Sequence, residues 1–203
     1  MGLLSRILAP GLFGAEMEDV GQPVFLDPQE ATLVAGGSDK RRRDFTLGRS
    51  CAHEALAVLG YGVAVVGKSE DGAPLWPAGV VGSITHTTGY AAALVAEARH
   101  ISGVGLDAER VGGVTENLWP RLFDGAERDH LLALDPASRP VLATLFFSAK
   151  EAFYKARAMK GALLFREIHV APEDGGFTAT RGNEKLHGRY AVQGDLMLTA
   201  IWF

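Results

Sequence analysis

Residues 103–109 read Gly103-Val104-Gly105-Leu106-Asp107-Ala108-Glu109. Side chains on a strand alternate between two faces, so Val104, Leu106 and Ala108 point into a core while Asp107 and Glu109 share the other face. Two carboxylates two residues apart on a strand sit about 7 Å apart at Cα and repel unless a cation lies between them. A hard divalent cation answers that arrangement, because Mg²⁺ takes a few carboxylates and completes its shell with water and phosphate oxygens. Mn²⁺ accepts the same oxygen donors. A solvated strand end carrying two surface acids accounts for the same residues.

Around this stretch the chain mixes strands and helices without regular βαβ alternation, which points to an α+β fold. Short strands are expected at 62–66, 80–85, 90–96 and 101–109. Further strand-like alternation falls at 168–171 and 196–202. One helix follows the polar run 36–43, with Phe45, Ala52, Ala55, Leu56 and Leu59 on one stripe and Gly60 at its stop. Another starts near Asp124, where Asp124 and Glu127 have capping-box spacing. The longest helix is expected from about residue 140 to Lys160, ending at Gly161. At 100° per residue, Leu142, Leu145, Phe146, Ala149, Phe153 and Ala156 form its apolar stripe. Glu151 lies opposite that stripe, with Lys155 one turn on. A boundary near 99–103 divides the chain into lobes 1–102 and 103–203.

Three further stretches carry polar chemistry. Phe147-Ser148-Ala149-Lys150-Glu151-Ala152-Phe153-Tyr154-Lys155 offers a third carboxylate and two lysines suited to phosphate charge. Glu151 and Lys155 also form an ordinary i,i+4 helix pair. Gly82-Ser83-Ile84-Thr85-His86-Thr87-Thr88-Gly89 places a histidine among hydroxyls at a strand end, able to meet a phosphate or to rest as a satisfied loop histidine. Lys40-Arg41-Arg42-Arg43, with Arg49 further along the helix, is a solvated charge run or a local patch that selects a polyanion. Walker and Rossmann glycine patterns are absent, as is the Gly-x-Ser-x-Gly nucleophile elbow.

Composition narrows the class. The chain has 203 residues, 47% hydrophobic and 22% charged, enough to bury a core without staples. Twenty Lys and Arg against 24 Asp and Glu give a net charge of −4, which argues against a general nucleic-acid binder. A single cysteine, Cys51, excludes an intramolecular disulfide and reads as core. No stretch approaches the ~20 apolar residues of a membrane span, and the opening residues lack a secretory pattern, so a cytoplasmic protein is expected. The first forty residues match no pattern.

Taken in order, these pieces resemble the 4′-phosphopantetheinyl transferases of the Sfp/EntD-like branch. The likeness runs from Arg41 to His169 through Arg41-Arg42-Arg43, Arg49-Ser50-Cys51-Ala52, Gly72-Ala73-Pro74, Gly82-Ser83-Ile84-Thr85-His86, the 103–109 stretch and Ser148-Ala149-Lys150-Glu151. The resemblance implies two similar, pseudo-twofold lobes with the active site in the cleft between them. It implies transfer of the 4′-phosphopantetheine arm of coenzyme A to a serine hydroxyl of an apo acyl or peptidyl carrier protein, with Mg²⁺, releasing 3′,5′-ADP. Asp107, Glu109 and Glu151 would bind the metal. Arg41, Arg43, Arg49, Gly72, Ala73, Pro74, Thr85 and His86 would meet the coenzyme, and Lys150 and Lys155 would answer pyrophosphate charge. Glu151 is the first candidate base and Glu127 the second, with Asp107 and Lys155 completing the catalytic set. Asp71 and His53 stand where such enzymes commonly carry basic residues, which would lower positive charge near the coenzyme phosphates. A monomer is expected. The same carboxylates would also serve a metal-dependent hydrolase of a coenzyme A or nucleotide pyrophosphate, or the scaffold could bind without catalysis.

Overall fold

The computed structural model describes residues 2–62, 64–159 and 164–203. The first half contains β1 (Phe13–Glu18), α1 (Pro28–Thr32), α2 (Asp39–Val58), β2 (Gly67–Lys68), β3 (Pro74–Leu75), β4 (Val80–Thr87) and β5 (Tyr90–Glu97). The second contains β6 (Val104–Arg110), α3 (Trp119–Leu122), α4 (Gly125–Ala133), α5 (Arg139–Ala156), β7 (His169–Glu173), β8 (Gly176–Arg181), β9 (Glu184–Gln193) and β10 (Leu196–Trp202). Each half repeats one plan, a strand, a long helix and two more strands whose last member lies in the middle. The sheet orders are β1-β5-β4 and β6-β10-β9, the second extended by β8 and β7, and β2-β3 is a separate hairpin. The two-lobed α+β architecture is therefore present, built from antiparallel neighbours.

The sheets face each other and the long helices lie outside. Leu47, Cys51, Ala55 and Leu56 of α2 pack on Ala91, Ala93 and Val95. Ala149, Ala152, Phe153 and Ala156 of α5 pack with Met197 and Ile201. Between the sheets, Tyr90 and Leu94 meet Leu106, Ala108, Leu198 and Ala200. As the alternation requires, Leu106 and Ala108 face that shared core, so Gly105 and Asp107 face α5. Gly105 is fixed by close approach, since a Cβ there would stand 1.8 Å from the Ala152 carbonyl oxygen. The helix consequently lies directly on β6 and delivers its polar face to Asp107.

A hydroxyl pair joins the lobes. Leu106 N donates to Ser83 Oγ (3.0 Å) and Ala108 N to Thr85 Oγ1 (3.0 Å), with both hydroxyls almost fully buried. The patternless N-terminus proves to be a second joint. Leu3, Leu4, Ile7 and Leu12 fill the shared core, while Arg189 Nη1 donates to the Leu8 carbonyl at 2.8 Å.

Several expected elements are displaced. Residues 62–66 hold no strand among those described; the pairing begins at Gly67. The long helix ends at Ala156, not near Lys160, because Arg157 caps it and Ala158 turns to φ 46°. Lys160 and Gly161, the expected end and stop, lie outside the described residues. Asp124 and Glu127 do form the capping box. Cys51 is core, its thiol pushed up to about 12 by burial. No helix of the described residues is long and apolar enough to cross a membrane.

Candidate functional site

Asp107 sits at the junction of both lobes and α5, only 4% exposed. Its Oδ1 accepts from Lys155 Nζ at 2.7 Å and from Thr85 Oγ1 at 3.5 Å, and its Oδ2 accepts from Ser148 Oγ at 2.8 Å. Ser148 is itself paired with Thr199, the residue opposite Asp107 on β10. Lys155 Nζ also donates to the Leu106 carbonyl at 3.1 Å, which fixes the ammonium on the strand. A buried carboxylate needs such partners, and here they come from both lobes and from α5.

Glu109 and Glu151 complete an acidic set around this ammonium. Burial, then the charge of Asp107, pushes the Glu109 carboxyl up to about 7, with Lys155 opposing and Glu151 adding to the rise. Burial also raises Glu151, Lys155 lowers it and Asp107 raises it. Three carboxylates thus share one lysine, so an oxygen-only donor set carries more negative charge than its cation answers. That composition fits a hard divalent ion. The set is open: among the described residues, the one group of three whose ligand atoms lie within 4.8 Å is Asp124, Glu127 and His169.

That tighter group is already occupied by protein. Asp124 and Glu127 cap α4 reciprocally, His169 Nδ1 meets Asp124 Oδ2 at 2.7 Å, and Val170 N donates to Glu127 Oε1 at 2.8 Å. Lys150 Nζ donates to Glu127 Oε2 at 2.5 Å and to the Leu122 carbonyl at 2.9 Å, and stands over the Phe123 ring. Lys150 is fully buried and Glu127 almost so. Burial lowers Lys150 and raises Glu127, and each charge opposes the other's shift. The structure therefore does not bring Lys150 to the acidic set, because residues 150 and 151 are 100° apart on the helix. Nor is Glu127 placed to act as a base.

A cavity of about 400 Å³ is lined by Arg41, Arg49, Gly72, Pro74 and His86, and also by Lys40, Asp44 and Lys68. Arg49 is 5% exposed, donates to the Gly67 carbonyl at 2.8 Å and stacks 4.5 Å from the Phe45 centroid. Among the described residues its buried Nε has no hydrogen-bond partner. His86 connects the two regions: it lines the cavity and its imidazole is lowered by burial, raised by Asp44, and influenced by both Lys155 and Asp107.

Three other expected coenzyme contacts, Arg43, Thr85 and Ala73, and the two departures, His53 and Asp71, sit elsewhere. Arg43 grips Asp19 (Nη2 to Oδ1, 2.5 Å) and the Gln22 carbonyl (2.8 Å), holding the segment after β1 on α2. That bond is the first cause of Asp19's lowered pKa. Thr85 lies beneath the acidic set as a lobe joint. Ala73 offers its carbonyl to Ser69 N and Oγ, closing the β2–β3 turn. His53 Nε2 meets buried Glu30 at 2.9 Å, and neither His53 nor Asp71 lines the cavity. A larger cavity, about 460 Å³, opens beside Glu16, Asp19 and Arg110. Three of its charged residues are engaged, Glu16 by Tyr90, Asp19 by Arg43 and Arg110 by Asp195, and Glu18 also lines it.

Two measurements follow from these placements. Arg43→Ala is expected to lower Tm by about 2–4 °C and to leave the affinity for the cavity's ligand unchanged; a weakened affinity would return Arg43 to the cavity. In metal-free protein, folded Glu109 keeps its proton to about pH 7 while the unfolded chain releases it near 4.5. Its contribution to stability is full below that lower value and is lost as pH rises through 7. After allowance for partial exposure the loss is on the order of 1–2 kcal/mol. Glu109→Gln should therefore gain Tm over the native chain from about pH 5 to about pH 8 in EDTA, and a constant gap would refute this.

The chain matches two family models, the 4′-phosphopantetheinyl transferase N-terminal domain over residues 29–96 and the 4′-phosphopantetheinyl transferase superfamily over 103–199. It is 39% identical over 195 residues to the 4′-phosphopantetheinyl transferase Npt of Nocardia iowensis, covering 95% of this chain and 87% of that protein. It is 34% identical over 192 residues to PptT of Mycobacterium tuberculosis, covering 86% and 84%. Enterobactin synthase component D of Escherichia coli K12 is 35% identical over 146 residues, covering 70% and 67%.

Proposed function

Because this chain belongs to the 4′-phosphopantetheinyl transferase family, we propose that its lobes, 1–102 and 103–203, divide one reaction between a cationic cavity and an acidic set. The enzyme transfers the 4′-phosphopantetheine arm of coenzyme A to a carrier protein. In the proposed arrangement the cavity of Arg41, Arg49, Lys68 and His86 takes the adenosine and its phosphate, with Gly72 and Pro74 beside the base. The pyrophosphate then reaches past His86 to Lys155, Asp107, Glu109 and Glu151.

Asp107, Glu109 and Glu151 would hold Mg²⁺, with Mn²⁺ an alternative for the same oxygens. When bound, the metal supplies positive charge to the pyrophosphate oxygens. The acceptor serine oxygen forms a bond to the β-phosphorus, and the bond from that phosphorus to the bridging oxygen breaks. The electron pair leaves on 3′,5′-ADP. A serine hydroxyl is a weak nucleophile and needs a base within reach. Glu151 takes its proton, directly or through water, and burial raises that carboxyl above its ordinary value, which makes it a stronger base than a free carboxylate. Lys155, held on Asp107 and the Leu106 carbonyl, orients Asp107 and answers charge on the leaving group. We further infer a monomeric, cytoplasmic enzyme.

The carrying observation is the convergence of Asp107, Glu109, Glu151 and Lys155, together with a cavity lined by Lys40, Arg41, Arg49 and Lys68. Intact-mass measurement of an apo carrier protein with coenzyme A and Mg²⁺ tests it. A gain of one phosphopantetheine, abolished by EDTA, is expected. Coenzyme A consumed with no gain in mass on any carrier would favour a pyrophosphate hydrolase.

A further inference from the structure

We propose that Glu30, a buried carboxylate outside the cavity, is a positioning residue that sets coenzyme A affinity by holding the β2–β3 hairpin against α2. The proposal rests on the reading of the cavity as a coenzyme site. Glu30 lies on α1 and is fully buried. A carboxylate in such surroundings is costly unless hydrogen-bonded, so its partners say what it is kept for. Its Oε1 accepts from Val66 N at 2.7 Å and lies 2.9 Å from His53 Nε2. Among the described residues its Oε2 has no hydrogen-bond partner. Glu30, His53 and Val66 do not line the cavity, so the carboxylate acts through the residues it holds.

Those residues form a two-point clamp. Val66 immediately precedes β2 and is fully buried in the core beneath α2. Glu30 takes its N–H, and Arg49 Nη2 donates to the carbonyl of the next residue, Gly67, at 2.8 Å. Two consecutive residues are thus fixed from two helices, α1 and α2, where the chain enters the hairpin. The clamping side chains also answer each other, since the Glu30 charge opposes the lowering that burial imposes on Arg49. His53, one turn beyond Arg49, ties Glu30 to the same helix. The hairpin itself pairs only Gly67 with Leu75 and Lys68 with Pro74, and a two-stranded ribbon of that length is not stable alone. Lys68, Gly72 and Pro74 line the cavity together with Arg49. The wall of the cavity therefore stands where the clamp puts it.

Calorimetric titration with coenzyme A, read beside transfer kinetics, tests this. Glu30→Asp keeps the charge and shortens the arm by one methylene, so the carboxylate loses its reach to Val66 N. It is expected to weaken coenzyme A binding about tenfold, the scale of a lost charge-assisted hydrogen bond. Both kcat and KM for the apo carrier protein should stay within about twofold of native. Glu30→Gln keeps the length and the Oε1 acceptor and should bind coenzyme A within about threefold of native. In the native enzyme, bound coenzyme A should slow hydrogen exchange at the Val66 amide about tenfold, because a ligand that needs the clamp closed suppresses its opening. Unchanged affinity in Glu30→Asp, or unchanged Val66 exchange, would overturn the proposal. So would kcat and carrier KM moving in step with coenzyme affinity, which marks a general loosening of the fold. If Arg49→Ala binds coenzyme A like the native enzyme, it is the reading of the cavity that fails, and the proposal falls with it.

Discussion

Asp107→Asn is expected to reduce phosphopantetheine transfer by about two to three orders of magnitude, the scale for removing one preorganised charge from a reacting centre. The substitution keeps the side-chain shape, and Asn still offers Lys155 and Thr85 an oxygen where Oδ1 accepts from them now. It removes the negative charge that raises Glu109 and Glu151. The folded state should survive, because the Gly105–Ala152 approach and the apolar contacts of α5 are untouched. A Tm within a few degrees of native together with lost transfer places Asp107 in the reaction. Undiminished kcat/KM would remove the acidic set from the mechanism. Raised Mg²⁺ concentration distinguishes a metal role, since weakened binding is partly restored by mass action.

The residues at this centre were legible because local periodicity sets their directions. Alternation over 103–109 puts Asp107 and Glu109 on one face whatever lies around them, and the 100° step puts Glu151 opposite the apolar stripe of α5. The same arithmetic carried a warning about neighbours. Lys150 is one step from Glu151, and Arg43 is two steps, or about 200°, from Arg41, so neither could share its neighbour's surface. The resemblance grouped them because motifs are contiguous in sequence, whereas a helix sends adjacent residues to different surroundings. Lys68 gave no signal, since a two-residue strand has no period. β1 was missed because its partner, β5, lies far along the chain, with Phe13 facing Val95. Leu3, Leu4 and Ile7 looked patternless because they bury themselves between two lobes rather than along one helix or strand face.

The placement of Lys150 is open to a decisive pair of variants. Lys150→Ala leaves Glu127 buried without its ammonium, and Glu127→Ala leaves a fully buried ammonium with only the Leu122 carbonyl and the Phe123 ring. Breaking one side of a buried pair costs about 3–5 kcal/mol, so each single variant should lose roughly 10 °C in Tm or more. The double variant Glu127→Gln/Lys150→Met removes both charges together. The introduced glutamine keeps an acceptor for Val170 N, and the methionine fills the lysine stem's space beside Phe123. Exchanging a buried pair for neutral groups of similar volume is often close to neutral, so most of the lost Tm should return. Transfer activity should return with it, because Glu151 and Lys155 lie on the other face of α5 and depend on the helix's position, not on the charge at 150. A double variant that folds at the native Tm but transfers nothing would put the Lys150 ammonium on the coenzyme after all. Recovery of both would establish that this lysine acts only by holding α5 against α4 and β7.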